Sequence, residues 1–345
     1  MTRTAVVIGA GIGGLATSVG LVRGGWDVTV LERWPDVVTT GTALGIHPSA
    51  QDALRALGLG DDLHARTVPY RSATVRRPDG RRVSRLPLER IERRHGEPVR
   101  MLSRGALMEL LRSAIPTARV STGVTITDPS QLRRDYDLVV GADGIRSTVR
   151  GAFFDDVARV RYAGVVAWRG VTDVRPPEYG ETWGPGQIFG ITPQGPGTTN
   201  WYAAVATAPT STESFADLRA RFRGWHAPIP RILAEADADE VLCHPIHELA
   251  PHLSSFVVGN VALVGDAAHA MTPSLGQGAC QALLDSVALT RALAREDHVP
   301  RALARYDARR RGPAQRVVTS SRWMTRLAGT RHAAARDALL RVLPG

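Results

Sequence analysis

The stretch TAVVIGAGIGGLATSVGLVRGGWDVTVLER, Thr4 to Arg33, decides the fold. It opens with an apolar run, Ala5 to Ile8, of the length of a buried strand. Gly9, Gly11 and Gly14 follow in a G-x-G-x-x-G spacing, with Gly13 beside them. Apolar residues then recur at helical spacing through Val22, and a second apolar run, Val28 to Leu31, ends on Glu32. Strand, glycine turn, helix and strand make a βαβ unit. Gly9 permits the tight turn, Gly11 lets the backbone approach a pyrophosphate, and Gly14 lets the helix pack close to the strand, while the helix N-terminus offers N–H groups and a positive dipole end to phosphates. Glu32 stands where an acid accepts bonds from ribose hydroxyls. The unit alone leaves NAD and FAD both open.

At 345 residues and 43% hydrophobic content, the chain has the length for two domains around separate cores. A formal charge of +10 raises nucleic acid as a partner, yet all 43 basic residues are arginines, because the chain has no lysine. They are scattered among acids, apart from the denser stretch Arg76 to Arg94 and the run Arg309 to Arg311, so we read composition bias and solvated surface in place of a phosphate-binding face. The only cysteines, Cys243 and Cys280, do not make a disulfide framework, and a reducing cytoplasm is the expected compartment. The start, MTRTAVVIGAGIGG, is too short in its apolar core and too rich in glycine for a secretion signal, and no apolar run reaches membrane-spanning length. CHPIH, Cys243 to His247, has metal-ligating residue types, but no second ligand pair follows, so no metal site is assigned.

Beyond the first unit the texture changes. YRSATVRRPDGRRVSRLPL reads as a hairpin around Pro78-Asp79-Gly80. LSRGALMELLRSAI reads as a helix capped by Ser103, and YDLVVGADGIRSTVR as an apolar strand ending on Asp143-Gly144. AGVVAWRGV, GQIFGITPQ and NWYAAVAT are strands of a second region. VALVGDAAHAMTPSLGQGAC, Val261 to Cys280, returns to the first pattern: a buried strand, then Gly265-Asp266, then a segment of small residues that leaves space for something large and polar. The expected division is a nucleotide domain over residues 1–70, 98–155 and 254–325, interrupted by a sheet domain over 71–97 and 156–253, with a C-terminal helix over 326–345. The region beyond Leu289 reads as helical, broken at Gly312-Pro313.

Three motifs in this order carry a family resemblance. The chain resembles the class A flavoprotein aromatic hydroxylases, the p-hydroxybenzoate hydroxylase fold, and more narrowly their salicylate and urate hydroxylase-like branch. The motifs are the dinucleotide turn at Gly9 to Gly14, a DGxxSxxR pattern at Asp143, Gly144, Ser147 and Arg150, and a GD pattern at Gly265-Asp266 running on through Pro273, Gly276, Gly278 and Asp285. The likeness spans nearly the whole chain. It implies an α/β architecture, a Rossmann-like FAD-binding domain interrupted by a β-sheet substrate domain, with a helical C-terminus. It also implies that Glu32 binds the adenosine ribose, with Arg33 and the Val124 backbone along the adenine, and that Arg104 contacts the pyrophosphate. Asp266 would accept a bond from the ribityl chain, Gly276, Gln277 and Gly278 would face the flavin pyrimidine edge, and Asp143 would serve FAD and an approaching nicotinamide.

The implied reaction is a monooxygenation: NADPH or NADH reduces FAD, O2 adds to give a flavin C4a-hydroperoxide, and oxygen passes to a small or mid-sized aromatic substrate. The same cofactor would equally serve epoxidation, oxidation or reduction of a polyketide or isoprenoid, or a flavin-bearing binder without turnover. The sheet domain should lay alternate side chains over the flavin, and Trp168, Gln187, Phe189, Trp201 and Tyr202 are the candidates, although Trp201 and Tyr202 as strand neighbours cannot both face inward. Gln187 and Trp201 stand near positions where a urate hydroxylase carries an arginine and a tyrosine, a departure that argues against urate. His47, in GTALGIHPSAQDAL, is the candidate base and Pro273 the flavin-side backbone, whereas His269 of GDAAH reads as structural. A monomer or homodimer is expected.

Overall fold

The computed structural model describes residues 2–36, 42–115, 119–154, 158–195, 197–208 and 213–342. Strands in the first part of the chain are β1 (Thr4–Ile8), β2 (Asp27–Leu31), β3 (Ala43–Ile46), β4 (Val68–Tyr70), β5 (Thr74–Arg76), β6 (Arg82–Arg85), β7 (Val99–Ser103) and β8 (Val120–Ser121). They are followed by β9 (Leu138–Gly141), β10 (Arg159–Thr172), β11 (Gly180–Gly184), β12 (Gln187–Gly195), β13 (Thr198–Ala206), β14 (Leu242–Ala250), β15 (Val257–Val258) and β16 (Val261–Leu263).

The first sheet has the order β15-β16-β9-β1-β2-β8 and is parallel except at β15. Its middle strands are apolar on both faces and fully buried, the pattern of a parallel sheet covered on both sides. Helices Ile12–Arg23 and Gly278–Arg295 pack closely: Thr17 Oγ1 donates to Ser286 Oγ at 2.9 Å, and a Cβ on Gly20 would come within 2.7 Å of Thr290. Ile8 and Leu263 both stand in register with Gly141. The carboxyl ends of β1, β9 and β16 therefore lie side by side, and all three motifs open onto one edge of the sheet, where open α/β sheets bind ligands.

The second sheet runs β14-β10-β13-β12-β11-β5-β6, antiparallel except for the β5–β11 pair. The expected hairpin at Gly80 joins this sheet, with Gly80 at φ +85°. One face is covered by helices Phe215–Phe222 and Ile229–Glu235, with Trp168, Phe189, Trp201, Phe222 and Ile232 in the shared core. The opposite face approaches the short sheet β3-β7-β4 and the Pro273 segment.

Two expectations about the C-terminal region are corrected. Gly312-Pro313 does not break the helix, which runs Val299–Ala328 with Pro313 inside it. Pro313 has no N–H for the Arg309 carbonyl, but burial of Tyr306, Arg310, Ala314 and Val318 on either side holds one helix together. The final helix is Ala333–Val342, and does not begin at 326. It is docked through Arg336, which donates to the carbonyls of Gly184, Ala328 and Trp183.

Trp201 stacks on Phe189 at 5.7 Å between centroids and has no solvent exposure. Trp201→Ala is expected to cost about 3–5 kcal/mol in a urea unfolding titration, because the sheet and its covering helices cannot collapse onto the void.

Candidate active site

The glycines of the first turn are held for different reasons. Gly9 has φ +104°, and a Cβ there would sit 2.4 Å from the Ala142 carbonyl oxygen. A Cβ on Gly14 would sit 1.9 Å from the Gly9 carbonyl oxygen, so the helix reaches the strand only without a side chain. Gly11 is the opposite case, with no atom within 4 Å of such a Cβ, and Gly13 would make ordinary contact with Ala282 and Val264 at 3.5 Å. The Glu32 carboxylate lies over the turn, accepting from the N–H of Ala10 at 2.7 Å and of Trp34 at 3.0 Å. Val124 N–H donates to the Glu32 carbonyl at 2.8 Å, and the Arg33 guanidinium lies 5.4 Å from the centroid of exposed Trp34. Glu32, Arg33 and Val124 thus gather at one end of the cleft.

The second and third motifs are tied to each other. Asp143 Oδ2 accepts from the N–H of Thr148 at 2.7 Å and Val149 at 3.1 Å, and Ser147 Oγ accepts from Arg150 N–H at 2.9 Å, so the two side chains cap the helix Thr148–Phe153. The Arg150 guanidinium donates to the Ala267 carbonyl at 2.9 Å and the Ile145 carbonyl at 2.7 Å. This joins the DG loop to the GD loop.

Behind the GD loop is a buried charge cluster. Asp285 accepts from Gly265 N–H at 3.0 Å, His269 Nε2 at 2.5 Å and Arg310 Nε at 2.7 Å. Arg310 also donates to Gln281 Oε1 at 2.7 Å. Burial alone would raise the Asp285 carboxyl, but His269 and Arg310 overcome it and hold it below the usual carboxylate range. Asp266, which opens the short helix Asp266–His269, is open to solvent within a deep protein surround, and that surround raises its carboxyl against the pull of His269 and Arg104. Arg104 begins the helix Arg104–Ser113, and burial lowers its pKa while Asp266 opposes the shift.

At the other end of the cleft a 3-10 turn, Pro273–Leu275, closes when Gly276 N–H donates to the Pro273 carbonyl at 2.8 Å. Gly276 has φ +61°, and a Cβ on Gly276 or Gly278 would meet no atom within 4 Å. Gln277 precedes the helix Gly278–Arg295, whose N–H groups point at this open space. His47 precedes the helix Pro48–Ala56, and Cys280 Sγ donates to the nearby Gly45 carbonyl at 3.2 Å. Burial, with a smaller push from His95, lowers His47 to about 4. It is therefore neutral at neutral pH and a weak base.

These residues fit a dinucleotide. Glycines are open where a pyrophosphate and a ring would pass, Arg104 lies near enough to Asp266 for their charges to interact, and among the described residues Asp143 Oδ1 is buried without a hydrogen-bond partner. Residues 2–321 match the family model described as FAD binding domain. The chain belongs to this FAD-binding family. It is 36% identical to aurachin C monooxygenase/isomerase of Stigmatella aurantiaca, over 92% of this chain and 88% of that protein. It is 30% identical to the FAD-dependent urate hydroxylase of Klebsiella pneumoniae, with the same coverage of 92% and 88%. Klebsiella pneumoniae HpxO complexed with FAD and uric acid superposes with a TM-score of 0.90 at 27% identity, covering 99% of this chain and 94% of that one.

Within this FAD-binding scaffold, most of the expected substrate side chains lie elsewhere. Trp168, Phe189 and Trp201 belong to the core under the helices Phe215–Phe222 and Ile229–Glu235. Gln187 stands opposite Val205 and shares that face. Tyr202 alone of the five lies on the face turned toward Pro273, because strand alternation puts Trp201 and Tyr202 on opposite sides. That face is lined by Ala167, Ile188 and Ala204, which with Pro273 and Thr325 enclose a cavity of about 40 Å³. Sequence reasoning missed Glu181 and Arg169 on this face, and Gln281 and Arg310 behind the GD loop. Arg310 was hidden in a run read as solvated surface, yet it is only 7% exposed. Its spacing from buried Tyr306 and Ala314 at helical period was the available signal. His247 of CHPIH makes an edge contact with the Tyr162 ring, 5.8 Å between centroids.

Arg310→Met should destabilise the protein by about 3–5 kcal/mol in a denaturant titration, because it leaves Asp285 buried with one partner fewer. The folded pKa of Asp285 lies below its unfolded value, so its stabilisation is present above the ordinary aspartate range and lost as pH falls through the folded value; Asp285→Asn should flatten the loss of stability measured below about pH 4. With His47 already neutral, His47→Asn should leave the shape of the pH–rate profile between about pH 6 and 8 unchanged.

Proposed function

We propose that this FAD-binding protein is a monooxygenase that uses NADPH or NADH and O2 to hydroxylate a small or mid-sized aromatic ring. The observation that carries the reading is the meeting of three cofactor motifs at the carboxyl ends of β1, β9 and β16, opposite a sheet face of small apolar side chains. FAD, when bound, supplies the electron transfer and the activation of O2. The chain's own residues bind, orient and exclude water. Glu32, Arg33 and Val124 would hold the adenosine end, Arg104 and the Gly11 turn the pyrophosphate, and Asp266 the ribityl hydroxyls. The N-terminus of the helix Gly278–Arg295, presented by Gly276, Gln277 and Gly278, would place its positive dipole end at the flavin pyrimidine edge. Ala167, Ile188 and Ala204 opposite Pro273 keep the reacting space apolar, which protects reactive oxygen species from wasteful proton transfer.

The relatives named for aurachin C and urate support an oxygenated ring as the substrate class. The free thiols of Cys243 and Cys280 fit a reducing cytoplasm, and no helix among the described residues is long and apolar enough to cross a membrane.

The test is NADPH and NADH oxidation with a panel of phenols and hydroxylated bicyclic aromatics under ¹⁸O2. One panel member should accelerate oxidation and appear with a single labelled oxygen; reductant consumption with unlabelled product would overturn hydroxylation. Asp266→Ala should weaken FAD binding about ten- to a hundredfold by equilibrium dialysis, the loss expected for a charged hydrogen bond.

A further inference from the structure

The turn that carries Pro273 is tied to the rest of the protein by hydroxyl groups. Thr272 and Ser274 flank Pro273, and among the described residues their side-chain hydrogen bonds all go to Ser321 and Thr325 of the helix Val299–Ala328. Ser321 and Thr325 are four residues apart, so both project from one side of that helix. Thr272 and Ser321 are buried, and Ser274 and Thr325 are half-buried. A hydroxyl taken from water needs a partner, whereas apolar side chains would fill the same space without that demand.

Each hydroxyl has one proton to give, and counting these protons gives the chain of bonds a direction. Ser321 Oγ donates to the Thr272 carbonyl at 2.6 Å, so the 2.9 Å bond between Thr272 Oγ1 and Ser321 Oγ takes its proton from Thr272. Thr325 Oγ1 donates to Thr272 Oγ1 at 2.7 Å, and Ser274 Oγ donates in turn to Thr325 Oγ1 at 2.7 Å. The protons run from Ser274 through Thr325 and Thr272 to Ser321, and the chain ends on a backbone carbonyl of the turn itself. Thr272 is thereby held at its carbonyl and its hydroxyl, and Thr325 bonds to residues on both sides of Pro273. The turn leads directly into Gly276, Gln277 and Gly278, where a Cβ on Gly276 or Gly278 would meet no atom within 4 Å. Among the described residues no atom braces the backbone in that direction, so the turn and the helix behind it fix its place.

We propose that Thr325, with Thr272, Ser274 and Ser321, is a positioning residue that sets the reduction potential of the bound flavin, by holding the N-terminus of the helix Gly278–Arg295 at a fixed distance from the flavin pyrimidine edge. The inference rests on the placement of FAD given above. Negative charge on the reduced flavin is stabilised by a positive helix end, and that effect falls off within one turn of the helix, so a small displacement changes it. The oxidised ring carries no such charge and gains less. Loosening the turn therefore weakens binding of the reduced form selectively and lowers the potential.

The test is the midpoint potential of the flavin-loaded full chain, read by absorption against a dye of known potential. Thr325→Val keeps the shape of the side chain and removes its hydroxyl. In this variant the reduced form should lose about tenfold in affinity relative to the oxidised form, which lowers the potential of a two-electron couple by about 30 mV. Thr325→Ser keeps the hydroxyl and should hold the native potential, and Ser274→Ala, which removes the outermost bond, should shift it the same way by less. Ile232→Val, in the core under the outer helices, should lower the melting temperature and leave the potential in place, which separates positioning from loss of stability. A native potential in Thr325→Val, or an equal shift in Thr325→Ser, would overturn the assignment; should Thr325→Val fail to fold or load, a native potential in Ser274→Ala overturns it. Flavin content, measured first on the same samples, keeps the two readings apart: native protein that cannot be loaded contradicts the FAD reading, whereas loaded variants at the native potential contradict the positioning role alone.

Discussion

The Asp285 carboxylate, without solvent exposure, accepts from the backbone of Gly265, from His269 and from Arg310, and through these bonds it fixes the loop that carries Asp266. An isolated buried carboxylate would cost several kcal/mol to desolvate, so the cluster stands only if each partner is in place. The arrangement makes the GD loop a rigid consequence of the helix Gly278–Arg295 and the long helix Val299–Ala328. Arg150 extends the constraint by donating to Ala267, so that the loop after β9 cannot move independently of the loop after β16. Gly9, pressed on the Ala142 carbonyl, does the same for the loop after β1. Three segments far apart in the chain are thereby held as one surface, which is what a long, polyvalent cofactor requires.

Across the cleft, the second sheet divides its chemistry by face. Large aromatics pack outward against two helices, where burial of ring area stabilises the layer. The inner face keeps small side chains beside Pro273 and also carries Arg169, Tyr202 and Glu181. Small residues there leave space that a large residue would fill. Aromatic packing and open space are thus assigned to opposite sides of the same strands.

Much of this was legible in the sequence wherever a local rule has a single structural solution. The G-x-G-x-x-G spacing required close backbone approach, and both Gly9 and Gly14 prove to be sterically closed to a Cβ. The Pro78-Asp79-Gly80 turn and the Ser103 cap follow from local chemistry and appear in place. Alternation along β12 and β13 was equally readable, but alternation gives parity without direction. Choosing aromatics as pocket residues put Trp168, Phe189 and Trp201 on the wrong side, because the covering helices that claim them lie later in the chain. Pro313 and Arg310 illustrate the same limit: a local helix breaker and a charged run were both overruled by packing of the helix Val299–Ala328 on the first domain. His47 was chosen for its ordinary titration range, and burial moved it out of that range.

Whether the three motif ends form one FAD site is read from the visible absorption spectrum of the purified protein after loading with FAD and gel filtration. Protein-bound flavin bands are expected at one equivalent per chain, with band positions and fine structure shifted from those of free FAD. A colourless protein, or one that releases all flavin on the column while remaining folded, would contradict it, and the glycine turn would then have to be reread as a nicotinamide dinucleotide site.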